Sequence, residues 1–161
     1  MWAEVGATVR AEFSDLPDAA VVTRIVLRLT IAAVLGGVLG YERELRGRAA
    51  GLRTHMLVAL GAALFVLVPQ QAGVADADLT RVLQGITAGV GFLCAGTIIK
   101  GHAEGDIQGL TTAAGVWLTA AIGVAAGMGR EATAVLSTLL ALGILTLLPR
   151  LVRRIGGDAR T

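Results

Sequence analysis

Glu42-Arg43-Glu44-Leu45-Arg46-Gly47-Arg48-Ala49-Ala50-Gly51-Leu52-Arg53-Thr54-His55 sets six charged side chains and a histidine between two of the most apolar runs of the 161-residue chain. A charged stretch flanked in this way reads as a loop between two membrane spans. The rest of the chain repeats the pattern. It is 55% hydrophobic and 16% charged, with a mean hydropathy of +0.73, whereas soluble domains carry about 25% charged residues. The few charges gather in short clusters between long uncharged blocks.

A hydrocarbon core about 30 Å thick needs roughly 17–25 apolar residues per helix. Five blocks approach that length, at 25–41, 54–69, 82–99, 110–128 and 132–149. The fold class is therefore all-α, a polytopic membrane protein with five transmembrane helices. Arg28 lies within a turn of the first span's start, where it is expected to snorkel to the interface. Trp2, Val5, Val9, Phe13 and Leu16 recur at helical spacing before that span and predict an interfacial helix. The start lacks a basic n-region and an early apolar core, so no cleavable signal peptide is read there. The chain divides into an extracytoplasmic segment 1–24, a membrane domain 25–149 and a basic tail 150–161, whose Arg150, Arg153 and Arg154 suit anionic lipid. Arg43, Arg46, Arg48, Arg53, Lys100, Arg150, Arg153, Arg154 and Arg160 fall on one side, and Arg10, Arg24, Arg28, Arg81 and Arg130 on the other. The positive-inside rule then places the N-terminus outside and the C-terminus in the cytoplasm.

Topology alone does not account for the density of charge from Glu42 to His55. If the first helix runs on past the membrane, Glu42 faces Arg46 and Glu44 faces Arg48 in the favourable i,i+4 order. Arg43, Arg53 and His55 are left over. Gly36 and Gly40, Gly85 and Gly89, and Gly123 and Gly127 each put two glycines on one helix face, the spacing that admits a close neighbour in lipid, either within the chain or on a second copy. Gly51-Leu52-Arg53-Thr54 before the second span matches Gly109-Leu110-Thr111-Thr112 before the fourth. This suggests a duplicated helical hairpin, with the Thr of each Gly-Leu-x-Thr, Thr54 and Thr112, at the helix N-cap.

The absences are equally informative. No Asp, Glu, Lys or His stands in the middle of a span, where ion-coupled transporters keep their carboxylates. Thr87, Cys94, Thr97 and Thr119 are expected to hydrogen-bond within or between helices. No Walker A or HExxH motif is present, and no enzyme activity or nucleic-acid partner is expected. The lone Cys94 reads as a small apolar filler. No cofactor is read firmly. Glu42, Glu44, Glu104 and Asp106 share the predicted cytoplasmic side, and such oxygens are candidate Mg²⁺ ligands; His55 and His102 read as interfacial polar residues.

Gly40-Tyr41-Glu42-Arg43-Glu44, Ala50-Gly51-Leu52-Arg53-Thr54-His55, Gly91-Phe92-Leu93-x-Ala95-Gly96-Thr97-Ile98-Ile99-Lys100 and Gly109-Leu110-Thr111-Thr112-Ala113-Ala114 together resemble the MgtC/SapB family over roughly residues 25–148. Cys94 stands where the family more usually has glycine. The chain is closer to the short SapB-type members than to those that continue into a soluble C-terminal domain. The resemblance implies a bacterial inner-membrane protein linked to magnesium homeostasis and, in pathogens, to virulence. It implies a regulator acting on partners such as the ATP synthase or another transporter, and it singles out Glu42, Arg43, Glu44, Arg53, Thr54, His55, Lys100, Thr111 and Thr112. Two functional classes follow. One is a non-enzymatic regulator, a homodimer through its glycine faces in the lipid bilayer. The other is a Mg²⁺ or other cation transporter or channel.

Overall fold

A computed structural model describes residues 1–12, 14, 18–99 and 108–157. Over these residues the chain folds as α1 (Trp2–Glu12), α2 (Ala19–Leu45), α3 (Leu52–Gln71), α4 (Asp76–Ile99), α5 (Leu110–Gly127), α6 (Glu131–Thr146) and α7 (Leu148–Gly157). Five stretches are long and apolar enough to cross a membrane: Ala19–Leu45, Leu52–Gln71, Ala77–Ile98, Leu110–Gly127 and Glu131–Val152, the last running from α6 into α7. The protein is thus an all-helical, multi-pass membrane protein. No residue of α1 is buried, and Trp2, Val5 and Val9 are exposed; Phe13 and Leu16 lie outside the described residues. Lys100, His102, Glu104 and Asp106 do so as well.

Helix α2 begins at Asp18, whose carboxylate accepts a hydrogen bond from the Val21 N–H at 2.8 Å and so satisfies one of the free amides of the first turn. It runs 27 residues, about 40 Å at 1.5 Å per residue, which exceeds the hydrocarbon thickness. The surplus carries Glu42 and Arg43 as part of the helix instead of the loop. The chain then turns at Gly47, whose φ of +62° is left-handed and open to glycine without strain.

Helix α3 lies between the glycine faces of α2 and α5. A Cβ on Gly36 would stand 2.6 Å from the His55 carbonyl oxygen, one on Gly40 would stand 2.7 Å from Leu52 Cα, and one on Gly127 would stand 2.5 Å from the Ala63 carbonyl oxygen. Gly123 meets the backbone of Ala59 still more closely. Ala59, Ala63 and Val66 on α3 are fully buried between these faces. Two of the three expected glycine pairs therefore pack within one chain. The third does not: a Cβ at Gly85 or Gly89 would meet nothing within 4 Å.

The two hairpins, α2–α3 and α4–α5, repeat each other in register. If Gly51 is set equal to Gly109, Gly36 corresponds to Cys94 and His55 to Ala113. Gly36 meets the His55 carbonyl, and the Cys94 thiol donates to the Ala113 carbonyl at 3.2 Å. Likewise Gly40 lies against Leu52 and Gly51, and Ile98 against Gly109. The hydroxyls of Thr87, Thr97 and Thr119 bond their own helices, donating to the carbonyls of Leu83, Cys94 and Gly115.

Arg28 reaches the level of the helix ends and finds defined partners there. Its guanidinium turns inward and donates to the Gly127 carbonyl at 3.1 Å and to Gln70 Oε1 at 3.3 Å, while Nε lies 3.9 Å from Glu131 Oε1. The last carbonyls of α5 have no partner in their own helix, and a cation at that end also complements the helix dipole. Arg28 thus ties together α2, α3, α5 and the start of α6. Arg28→Met is expected to destabilise the protein by about 1–3 kcal/mol, the range for orphaned buried partners. Thermal unfolding in detergent would read this as a lowered midpoint beside an unchanged midpoint for Arg24→Met, whose side chain is exposed.

Candidate functional site

The charged segment at the predicted cytoplasmic end does not form one exposed cluster. Gly36, Gly40 and Arg43 are spaced i, i+4 and i+7, so Arg43 lies on the face that α2 presents to α3. It is 3% exposed and Glu42 is 8% exposed. Arg43, left without a partner by the sequence pattern, donates to Glu42 Oε2 through Nε and lies against the same oxygen with its terminal nitrogen. The expected Glu42–Arg46 pair forms: Arg46 Nε lies 2.5 Å from Glu42 Oε1, though this contact is ionic rather than an aligned hydrogen bond. One buried carboxylate thus sits between two guanidiniums. Glu42 is not a free oxygen ligand, and the trio carries a net positive charge.

His55 is fully buried and is not the interfacial residue expected. Its Nδ1 lies 3.0 Å from the Gly51 carbonyl oxygen. A carbonyl only accepts, so Nδ1 carries the proton, and the Nε2 of the neutral ring is an acceptor. No donor reaches Nε2 among the described residues. The ring projects toward α5, where a Cβ on Gly115 would stand 3.6 Å from Nε2. Thr112, on the first turn of α5, is also buried. The site therefore joins α2, α3 and α5 through Glu42, Arg43 and His55, whose ring faces Gly115. Arg53, Thr54 and Thr111 are exposed, and Lys100 lies outside the described residues.

Two further expectations are corrected. Glu44 does not pair with Arg48; its Oε2 accepts from the Leu52 N–H at 2.7 Å and so caps α3 from the end of α2. The carboxylate fits because position 51 is glycine: a Cβ there would stand 2.7 Å from Glu44 Oε2. Nor do threonines cap α3 and α5. The caps are Gly51 and Gly109, neither with a side-chain bond, and the φ of +94° at Gly109 is left-handed, which glycine tolerates and threonine does not. With Glu42 held by arginines and Glu44 by a backbone amide, these two carboxylates serve different partners. Among the described residues no group of three or more His, Cys, Asp or Glu side chains could hold a metal ion; Glu104 and Asp106 lie outside them.

The MgtC family model matches residues 29–154, most of the chain and all five spans in whole or in part. The chain belongs to the MgtC family. It is 45% identical over 123 residues to Protein MgtC of Brucella abortus (strain 2308), covering 76% of this chain and 50% of that protein. To the Putative magnesium transporter YhiD of Escherichia coli (strain K12) it is 38% identical over 138 residues, 81% of this chain and 63% of that protein. To Protein SrpB of Synechococcus elongatus the figures are 43% over 137 residues, 78% of this chain and 75% of that protein. The chain thus spans about half the length of the Brucella relative. No solved structure matches it.

The Glu44 cap gives a direct test of this part of the geometry. Glu44→Ala is expected to destabilise the protein by about 0.5–2 kcal/mol, the usual range for a lost N-cap, with Glu44→Gln recovering most of that because an amide oxygen still accepts. Amide hydrogen exchange would show the loss as faster exchange confined to the first turn of α3.

Proposed function

We propose that this MgtC-family protein is a non-enzymatic regulator in the bacterial inner membrane, linked to magnesium homeostasis or membrane bioenergetics. Its N-terminus lies outside and its functional surface faces the cytoplasm, as the Lys and Arg asymmetry indicates. The observation that carries the reading is the Glu42–Arg43–His55 cluster. Charged groups buried within a protein are costly to desolvate, and a buried ion pair is often no more stabilising than apolar packing, so their retention points to a role beyond stability. Here they sit where α2, α3 and α5 meet, beside the exposed Arg53 and Thr54. A partner membrane protein, such as the ATP synthase or a transporter, would meet the exposed arginines, and the buried pair would set the angle at which α2 and α3 present them.

The second reading is a Mg²⁺ or other cation transporter. It is favoured by the name of the Escherichia coli relative and by the burial of Glu42 and His55. Against it, both oxygens of Glu42 face arginines, which repel a divalent cation. The two readings separate in liposomes containing only the purified protein. The regulator reading expects Mg²⁺ entry no faster than in protein-free liposomes. Saturable entry that disappears in Glu42→Gln would establish transport and overturn it.

A further inference from the structure

Helix α6 lies in the groove between α2 and α5, where its Ala134 and Ala141 join a core that includes Ile31, Ala32 and Leu35 of α2. The hairpin repeat exchanges α2 with α4 and α3 with α5, so the equivalent groove lies between α4 and α3. In the register that equates Gly51 with Gly109, Ile31, Ala32 and Leu35 correspond to Gly89, Val90 and Leu93. Those three residues line an open, almost wholly apolar groove of about 580 Å³ between α3 and α4, together with Leu57, Gly61 and Gly85. One half of the repeat therefore has a transmembrane helix seated in this groove. The other half has the equivalent groove with none of the described helices in it.

Three more observations bear on what fills it. The glycine pairs of α2 and α5 are already used against α3, whereas Gly85 and Gly89 face open space. Helix α4 is also the least covered of the spans: 6% of its span window is buried, against 50% for α5. Finally, a soluble or lipidic occupant would not need the backbone-close approach that two glycines one turn apart allow, whereas a helix does. A helix related by a two-fold axis along the membrane normal brings the same glycine notch to the contact, which makes the surface self-complementary.

We infer that the α3–α4 groove is the seat of the α4 helix of a second copy, so that each protomer fills the groove of the other around Gly85 and Gly89. This assignment does not depend on whether the protein regulates or transports. It narrows the choice among three glycine faces to one.

The test uses the full chain reconstituted in liposomes. Donor- and acceptor-labelled copies are mixed and the lipid-to-protein ratio is raised until energy transfer falls. The wild type is expected to self-associate, and the Gly85→Leu/Gly89→Leu variant to need at least a tenfold higher protein density for the same transfer. The added side chains enter open space within one protomer, so the variant is expected to fold; its unfolding midpoint, measured alongside, checks this. In a Cys94→Ala background, Leu93→Cys is expected to crosslink two copies on oxidation, and Leu140→Cys, exposed on α6, is expected not to. A wild type that stays monomeric at every density would overturn the assignment, whether lipid or another protein's helix then fills the groove. Association that survives the double leucine variant would overturn it equally.

Discussion

Gly123→Val is expected to be among the most damaging single substitutions in the membrane domain. A Cβ at position 123 would stand 2.8 Å from both the carbonyl carbon and the Cα of Ala59 and closer still to its oxygen. The obstacle is backbone on a central helix, so no rotamer change relieves it. Overpacking typically costs about 1–3 kcal/mol and occasionally more, and the rigid neighbour puts this site at or above the upper end. For a chain of this size that corresponds to a fall in the unfolding midpoint of roughly 6–12 °C. Differential scanning fluorimetry in detergent would measure it. Gly143→Ala is the control: a Cβ there meets nothing within 4 Å, and alanine is the better helix former by about 1 kcal/mol, so its midpoint should hold or rise.

Arg43→Met is the second large effect. It leaves the Glu42 carboxylate buried with Arg46 as its remaining partner, and breaking a buried pair on one side costs about 3–5 kcal/mol. The surviving Arg46 contact places the expectation near the lower end. The double variant Glu42→Leu/Arg43→Met removes both charges and is expected to recover most of the loss, because a buried pair replaced by apolar groups of similar volume is often neutral or better. The shortfall of the double variant against the sum of the two singles gives the coupling between the residues. Arg53→Met, an exposed change, should stay within about 0.5 kcal/mol of the wild type.

Most of the helical framework was legible in the sequence because apolar run length is set by the bilayer. The runs 54–69 and 110–128 differ from α3 and α5 by two residues or fewer at each end. The first run was shorter than α2 because Glu42, Arg43 and Glu44 look like loop by composition. They are helical because the last turns of α2 pack on α3 through Gly40 and Arg43. A signal for the burial of Arg43 was present in its i+7 spacing from Gly36, but composition outweighed phase. The partners of Arg28 are not legible for a different reason: Gln70 and Gly127 are remote in sequence and come together only when the N-terminal part of α2 meets the C-terminal ends of α3 and α5. The threonine caps failed because Gly-Leu-x-Thr fits two descriptions, and the left-handed turn at Gly109 decides for the glycine. The repeat was visible as a four-residue match. That it extends to contacts made by Gly36 and Cys94 needed the helices placed in space.

The central claim is that Glu42 and Arg43 are kept in the bundle for function rather than for stability. The Glu42→Leu/Arg43→Met variant separates the two, since it removes both charges and is expected to keep the fold. The measurement is growth of a deletion host in magnesium-limited medium carrying this variant, with its membrane abundance and unfolding midpoint matched to the wild type. The expected result is a folded, inserted protein that fails to support growth. Growth equal to the wild type would contradict the account and reduce the cluster to packing.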